Sequence, residues 1–218
     1  PVIGSDGREP WLVYARPFDP DDSRPLIAIV LSGLGLSQAA TDAAIRLPGV
    51  VTLSFVAYAS GLRQWSARAR AAGHELLLDI PMDPLNYPTD DPGPHTLLTS
   101  LNPVDNIARL EWLLSRFTGY VGVVDHMGSK FAASSEALRP VLDALNERGL
   151  MILDSRSALD SAVFDLALEM KLPSAANDGF LDDTASRESI DWHLAELERM
   201  ARETGYAVGI GRAYPVTI

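Results

Sequence analysis

Six consecutive residues, Asp125-His126-Met127-Gly128-Ser129-Lys130, place a carboxylate, an imidazole, a hydroxyl and an ammonium on one turn directly after an apolar run. Imidazole is the commonest metal ligand and the side chain best suited to moving protons near neutral pH, so Asp125 and His126 are the first candidates for chemistry. A lone histidine also serves as an ordinary hydrogen-bonded residue, but the crowding on this turn favours a functional role. Asp79 and Asp83 flank Ile80-Pro81-Met82, a carboxylate pair four residues apart that could bind a hard cation or share acid-base work. Solvated loop carboxylates are the commoner alternative. Asp154-Ser155-Arg156 offers a carboxylate and a guanidinium fork, to be weighed evenly against a structural ion pair that fixes loops. His74, His95 and His193 lie before a strand, in a proline-rich loop and on a polar helix flank, and are weaker candidates.

Other chemistries are excluded or weak. Ser32-Gly33-Leu34-Gly35 sits where a phosphate-cradling loop would, but Gln38 stands where a dinucleotide fingerprint needs its third glycine, so a tight strand-to-helix turn is the simpler reading. The chain has no cysteine and no Gly-x-Ser-x-Gly elbow, which removes disulfides, Cys-based zinc sites and the common hydrolase nucleophiles. A formal charge of −11 opposes binding to nucleic acid phosphates or anionic lipid and makes a neutral or cationic partner easier. No stretch reaches the roughly 18 consecutive apolar residues of a membrane span, so the chain reads as soluble. Pro1 rather than Met opens it, which points to an upstream part such as a signal or anchor.

The elements that must position these residues follow from hydrophobic pattern. Residues 1–25, with Gly4, Gly7, Pro10, Pro17, Pro20 and Pro25, read as an irregular lead-in, and one domain spans 26–218. Six apolar runs alternate with stretches of helical period: Leu26 to Leu31, Val51 to Ala57, Glu75 to Ile80, Tyr120 to Val124, Leu150 to Leu153 and Tyr206 to Ile210. A weaker seventh lies near Ser174 to Asn177. This alternation predicts an α/β fold around a mainly parallel sheet. Asn102-Pro103 with Asp105, Ser134 with Glu136 and Ser186 with Glu188 mark helix starts. Five prolines between Asp79 and Leu101 predict a long loop. In parallel sheets, ligands gather beyond the carboxyl ends of strands, a rule that selects Ser32, Gly33, Asp79, Asp83, Asp125, His126, Asp154, Ser155, Arg156 and Arg212.

Together the segments resemble the divergent polysaccharide deacetylase family, a branch of the metal-dependent carbohydrate N-deacetylases. The likeness runs from about Leu26 to Ile218. It rests on Ile27-Ala28-Ile29-Val30-Leu31 with Gly35, Gly73-His74-Glu75 leading to Ile80-Pro81-Met82, His126-Met127-Gly128-Ser129-Lys130-Phe131, Leu153-Asp154-Ser155-Arg156, Phe180-Leu181-Asp182-Asp183, and Gly209-Ile210-Gly211 with Pro215. The resemblance implies a distorted β/α barrel of about seven mainly parallel strands. It also implies a polysaccharide or peptidoglycan-type sugar as substrate, the periplasm as compartment, and a divalent metal, typically zinc, that activates water against an acetamide.

Against that pattern, Ser32 and Gly33 stand where the superfamily places an aspartate pair, Asp79 where a ligand histidine often precedes Pro-Met, and Arg212 where a histidine protonates the leaving amine. Asp125 replaces an asparagine beside His126. The resemblance therefore implies a rearranged metal set of Asp79, Asp125 and His126, with Asp125, His126, Asp154 and Arg156 as catalytic candidates and Ser32, Ser129, Lys130 and Arg212 as substrate contacts. Two functions follow from it. One is a carbohydrate deacetylase with weak or altered hydrolysis; the other is a catalytically inactive relative that binds glycan or a protein partner.

Overall fold

The computed structural model describes residues 1–19 and 21–218; Pro20 of the lead-in lies outside the described residues. The chain runs α1 (Pro10–Val13), β1 (Leu26–Leu34), α2 (Gln38–Ile45), β2 (Thr52–Val56), α3 (Leu62–Ala71), β3 (Leu76–Pro81), α4 (Pro103–Leu114), β4 (Gly122–His126), α5 (Ser135–Asn146), β5 (Met151–Asp154), α6 (Val163–Glu169), β6 (Ser174–Ala176), β7 (Gly179–Phe180), α7 (Arg187–Thr204) and β8 (Tyr206–Arg212). The eight strands form one sheet in the order β6-β5-β4-β3-β2-β1-β8-β7, with every adjacent pair parallel. The sheet is curled into a distorted β/α barrel, one strand richer than the sequence suggested. The added strand, β7, is two residues long and carries no readable period.

Parallel strands covered on both faces read as unbroken apolar runs, and β3, Leu-Leu-Leu-Asp-Ile-Pro, is buried along its whole length. Side chains alternate between the faces with a period of two. Leu31, Phe55, Leu78, Val123 and Ile152 pack outward into the main core, against helix residues such as Leu110, Leu113, Leu138, Leu142 and Leu166. Val30, Leu77, Val124, Leu153, Val208 and Ile210 form the smaller cluster inside the curl. Continuing the same alternation toward the strand ends brings Ser32, Asp79, His126, Ser155 and Arg212 onto the inner face, so an apolar layer is topped by a polar rim. Ser32 lies in register with Arg212, and Pro81 with His126.

The helix starts act as expected. Asn102, Ser134 and Ser186 each accept a hydrogen bond from the backbone three residues on, and Pro103 opens α4. The lead-in contains the short α1. Its Tyr14 packs against the inner cluster, and the Tyr14 carbonyl accepts from Arg70, so this segment covers the end of the curl away from the rim. Among the described residues, no helix is long and apolar enough to cross a membrane.

The two sheet edges, β6 and β7, belong to consecutive strands but do not pair with each other. Buried Asn177 joins them instead. Its backbone N–H donates to the Asp154 carbonyl and its Nδ2 to the Ser155 carbonyl. Its Oδ1 accepts from Gly179 N and Ile210 N. Beside it, Asp178 N donates to the Val208 carbonyl while Val208 N donates to Asp178 Oδ2. One amide side chain thus stitches β5 to β8 where a ladder is missing. A buried polar group stripped of its partner costs about 1–3 kcal/mol, and Asn177→Ala strips at least the Ser155 carbonyl and the Ile210 N–H. We expect the variant to lose about 2–4 kcal/mol in urea unfolding; stability equal to wild type would show that the seam is held by something else.

Candidate functional site

A cleft of about 430 Å³ opens on the polar rim, lined among others by Ser32, Gly33, Asp79, Asp125, His126, Met127, Ser155, Ser157, Phe180, Asp183, Arg212 and Tyr214. Strand ends β1, β3, β4, β5 and β8 all contribute, as the carboxyl-end rule requires. The sequence-predicted residues Ser32, Gly33, Asp79, Asp125, His126, Ser155 and Arg212 meet here.

The first strand reaches the cleft through an irregularity. Its pairing with β2 shifts between Leu31 and Leu34, and Gly33 takes φ +79°, a left-handed conformation that glycine adopts without strain. The Ser32-Gly33 pair is therefore part of a bulged strand rather than a turn after it. Gly33 N donates to Asp79 Oδ2 at 2.9 Å, and the buried Ser54 hydroxyl of β2 donates to Asp79 Oδ1. Both oxygens of this carboxylate are thus engaged by the chain's own donors.

Asp125 is treated the same way. Ser155 donates its N–H to Oδ1 and its hydroxyl to Oδ2, each at 2.6 Å, and Ser157 adds a longer contact at 3.4 Å. Burial pushes the Asp125 carboxyl up to about 6 from an ordinary 3.8; the Ser155 hydrogen bonds oppose the rise and the nearby Asp154 charge adds to it. His126 lies alongside, half-buried, and its ring nitrogens have no hydrogen-bond partner among the described residues. Met127 has φ +62°, uncommon for a side chain of this kind, and Gly128 follows because a Cβ there would come within 2.7 Å of Met82 Cβ.

Arg212 forms the opposite wall. Its guanidinium carbon lies 5.6 Å from the Phe180 ring centre and 5.9 Å from that of Tyr214. Nη1 reaches toward the Asp182 carbonyl at 3.5 Å and Asp182 Oδ1 at 3.8 Å. Buried Asp182 also accepts from Arg212 N and the Thr217 hydroxyl through Oδ2.

The other candidates are not among the residues that line the cleft. The Asp154 carboxylate turns away to accept from Arg156 N, the Ser161 hydroxyl and Phe164 N, holding the start of α6. Arg156, at φ +51°, points to the Asn177 carbonyl and Asp178. Ser129 accepts from Leu85 N, and Lys130 lies 3.4 Å from Asp83, so both tie the proline-rich loop to β4. Asp83 itself is buried and accepts from the Thr99 N–H and hydroxyl. His74 is buried between the carbonyls of Ile45 and Val51, and His95 stacks on Trp112 at 3.8 Å. Sequence reasoning missed Ser54, Ser157, Phe180, Asp183 and Tyr214 as parts of the site. Phe180 and Asp183 lay within a segment of the family likeness, which was their only signal.

The family model described as Divergent polysaccharide deacetylase matches residues 29–218. The chain is 25% identical over 193 residues to an uncharacterized protein of Haemophilus influenzae, covering 88% of this chain and 68% of that one. It is 23% identical over 192 residues to the uncharacterized protein YibQ of Escherichia coli K12, covering 88% of this chain and 60% of that one. The chain therefore spans about two thirds of the length of these curated relatives. Among solved structures it is similar to an uncharacterized protein of Agrobacterium tumefaciens C58, with TM-score 0.97, 40% identity, and coverage of 100% of this chain and 88% of that one. A protein of Enterococcus faecalis V583, provisionally described as a cellobiose-phosphate cleavage protein, shares the fold at TM-score 0.60 and 16% identity, over 87% of this chain and 80% of that one.

The raised Asp125 carboxyl has a measurable consequence. Between about pH 4 and pH 6 the folded chain keeps a proton that the unfolded chain has released, so the contribution to stability is complete below about 4 and is lost as pH rises through about 6. Roughly two pKa units correspond to about 3 kcal/mol. Asparagine can keep one acceptor and one donor toward Ser155 but cannot titrate. Relative to wild type, Asp125→Asn should gain about 2–3 kcal/mol between pH 4 and pH 7.5 in urea unfolding; a pH-independent difference would refute the assignment.

Proposed function

The chain belongs to the divergent polysaccharide deacetylase family, and from that membership we propose that its rim cleft binds a carbohydrate chain of the cell-envelope class without metal-assisted amide hydrolysis. The observation that carries this reading is that both oxygens of each carboxylate expected to hold an ion are engaged by the chain's own donors, with no third ligand grouped beside them among the described residues. Asp79 is engaged by Ser54 and Gly33, and Asp125 by the Ser155 N–H and hydroxyl. His126 is left as the one outright match to the superfamily's metal site. Among the described residues no three His, Asp or Glu side chains stand together at metal-holding spacing, so the donor set does not fit a resident divalent metal.

General acid chemistry at the leaving amine is weakened too, because a guanidinium is a poor proton shuttle beside the imidazole it replaces. What remains suits recognition. The cleft falls in the size range of small-ligand sites, with apolar ring surface from Phe180 and Tyr214 beside hydroxyls from Ser32 and Ser157. The reading carries with it a periplasmic address, where envelope glycans lie.

The test is direct. With zinc in excess, wild-type protein should release acetate from chitooligosaccharides no faster than His126→Ala, while binding of envelope-type oligosaccharides, neutral or acidic, is detected by calorimetry. Acetate release at least 100-fold above the variant would establish an active deacetylase and overturn the proposal, and failure of every oligosaccharide to bind would overturn it from the other side.

A further inference from the structure

We propose that the cleft selects a sugar bearing an oxyanion, a carboxylate or a phosphate, and that Arg212 is the residue that selects it. The inference rests on the glycan-binding reading and names its ligand class. Every contact that Arg212 makes through its side chain with Asp182 uses Nη1. Among the described residues, Nε and Nη2 have no hydrogen-bond partner, and these two nitrogens form the edge that grips a carboxylate or phosphate side-on with two parallel bonds. The fork is held ready. Phe180 and Tyr214 lie against the guanidinium, and its backbone N–H is fixed on Asp182. The side chain is 43% exposed and lines the cleft.

The groups across the cleft agree. His126 adds a ring nitrogen with no partner among the described residues. Asp79 and Asp125, the acceptors most expected to repel an anion, already take the N–H of Gly33, the N–H of Ser155 and the hydroxyls of Ser54 and Ser155. Arg212 and His126 are therefore the cleft's side chains with nitrogens left open at the rim. Asp183 is exposed. Its charge is screened by water and salt, and its oxygens suit the hydroxyls that every sugar carries. The formal charge of −11 acts over distances where salt damps it within about 8–10 Å, whereas charge-assisted hydrogen bonds act at contact. At the cleft, contact wins.

Calorimetric titration with two pairs of probes tests the inference and separates the two sources of charge: trigalacturonic acid against neutral chitotriose, and glucose 6-phosphate against glucose. In at least one pair the charged member should bind ten-fold or more tightly, a difference of about 1.4 kcal/mol. Arg212→Gln should collapse that ratio below two-fold. Arg212→Lys keeps the charge without the fork and should retain only part of the preference; it also serves if the glutamine variant fails to fold, as judged by its thermal midpoint. The pair that shows the preference identifies the oxyanion. Charged and neutral sugars binding equally well, or a preference that survives both variants, would overturn the inference while leaving the glycan cleft standing. If none of the four probes binds, the inference falls together with the reading beneath it.

Discussion

The molecule depends on how an eight-stranded parallel sheet ends. A curled sheet that does not close by a strand ladder leaves two edges of unpaired N–H and C=O groups, and edges inside a compact body must find partners. Here β6 and β7 are short and divided by two residues, and buried Asn177 does the joining. Asparagine suits the place because its amide offers both an acceptor and donors, and the seam needs both. Oδ1 serves β7 and β8 while Nδ2 serves the chain leaving β5.

That joint also sets the site. The Ser155 whose carbonyl Asn177 holds is the same Ser155 whose N–H and hydroxyl grip Asp125, and the Ile210 whose N–H Asn177 holds lies two residues before Arg212. The two walls of the cleft, one led by Asp125 and His126 and the other by Arg212, are therefore spaced by one buried side chain rather than by loops. A burial that would be costly for an isolated carboxyl becomes tolerable because donors are fixed in place around it. The raised Asp125 carboxyl is the residue of that cost.

The strands and the polar rim were legible in the sequence because burial on both faces and a period of two leave long, unambiguous marks. Leu76 to Pro81 is an example, and so is the ordering of Val30 before Ser32 and Leu77 before Asp79 on one face. The carboxyl-end rule then found Asp79, Asp125, His126 and Arg212, yet it could not tell which strand-end residues turn inward. Asp154 and Arg156 occupy an equivalent position but face away, because the Asp154 carboxylate holds the start of α6 and Arg156 sits at φ +51°. Ser54 was invisible for the opposite reason: a hydroxyl inside an apolar run reads as tolerance until its acceptor on the neighbouring strand is known. Strand β7 and Tyr214 left no local signal, since each owes its place to β8 beside it.

The replacements at the rim make physical sense as a set. A buried carboxylate needs donors around it, or it is left unsatisfied at a cost of several kcal/mol. Ser54 and the Gly33 N–H meet that need at Asp79; Ser155 meets it twice at Asp125. Both carboxylates are thus held by the chain's own donors. On the proposed reading, the guanidinium of Arg212 and the ring of His126 set the character of the cleft, and what it binds is decided by groups at contact range rather than by the count of acidic residues along the chain.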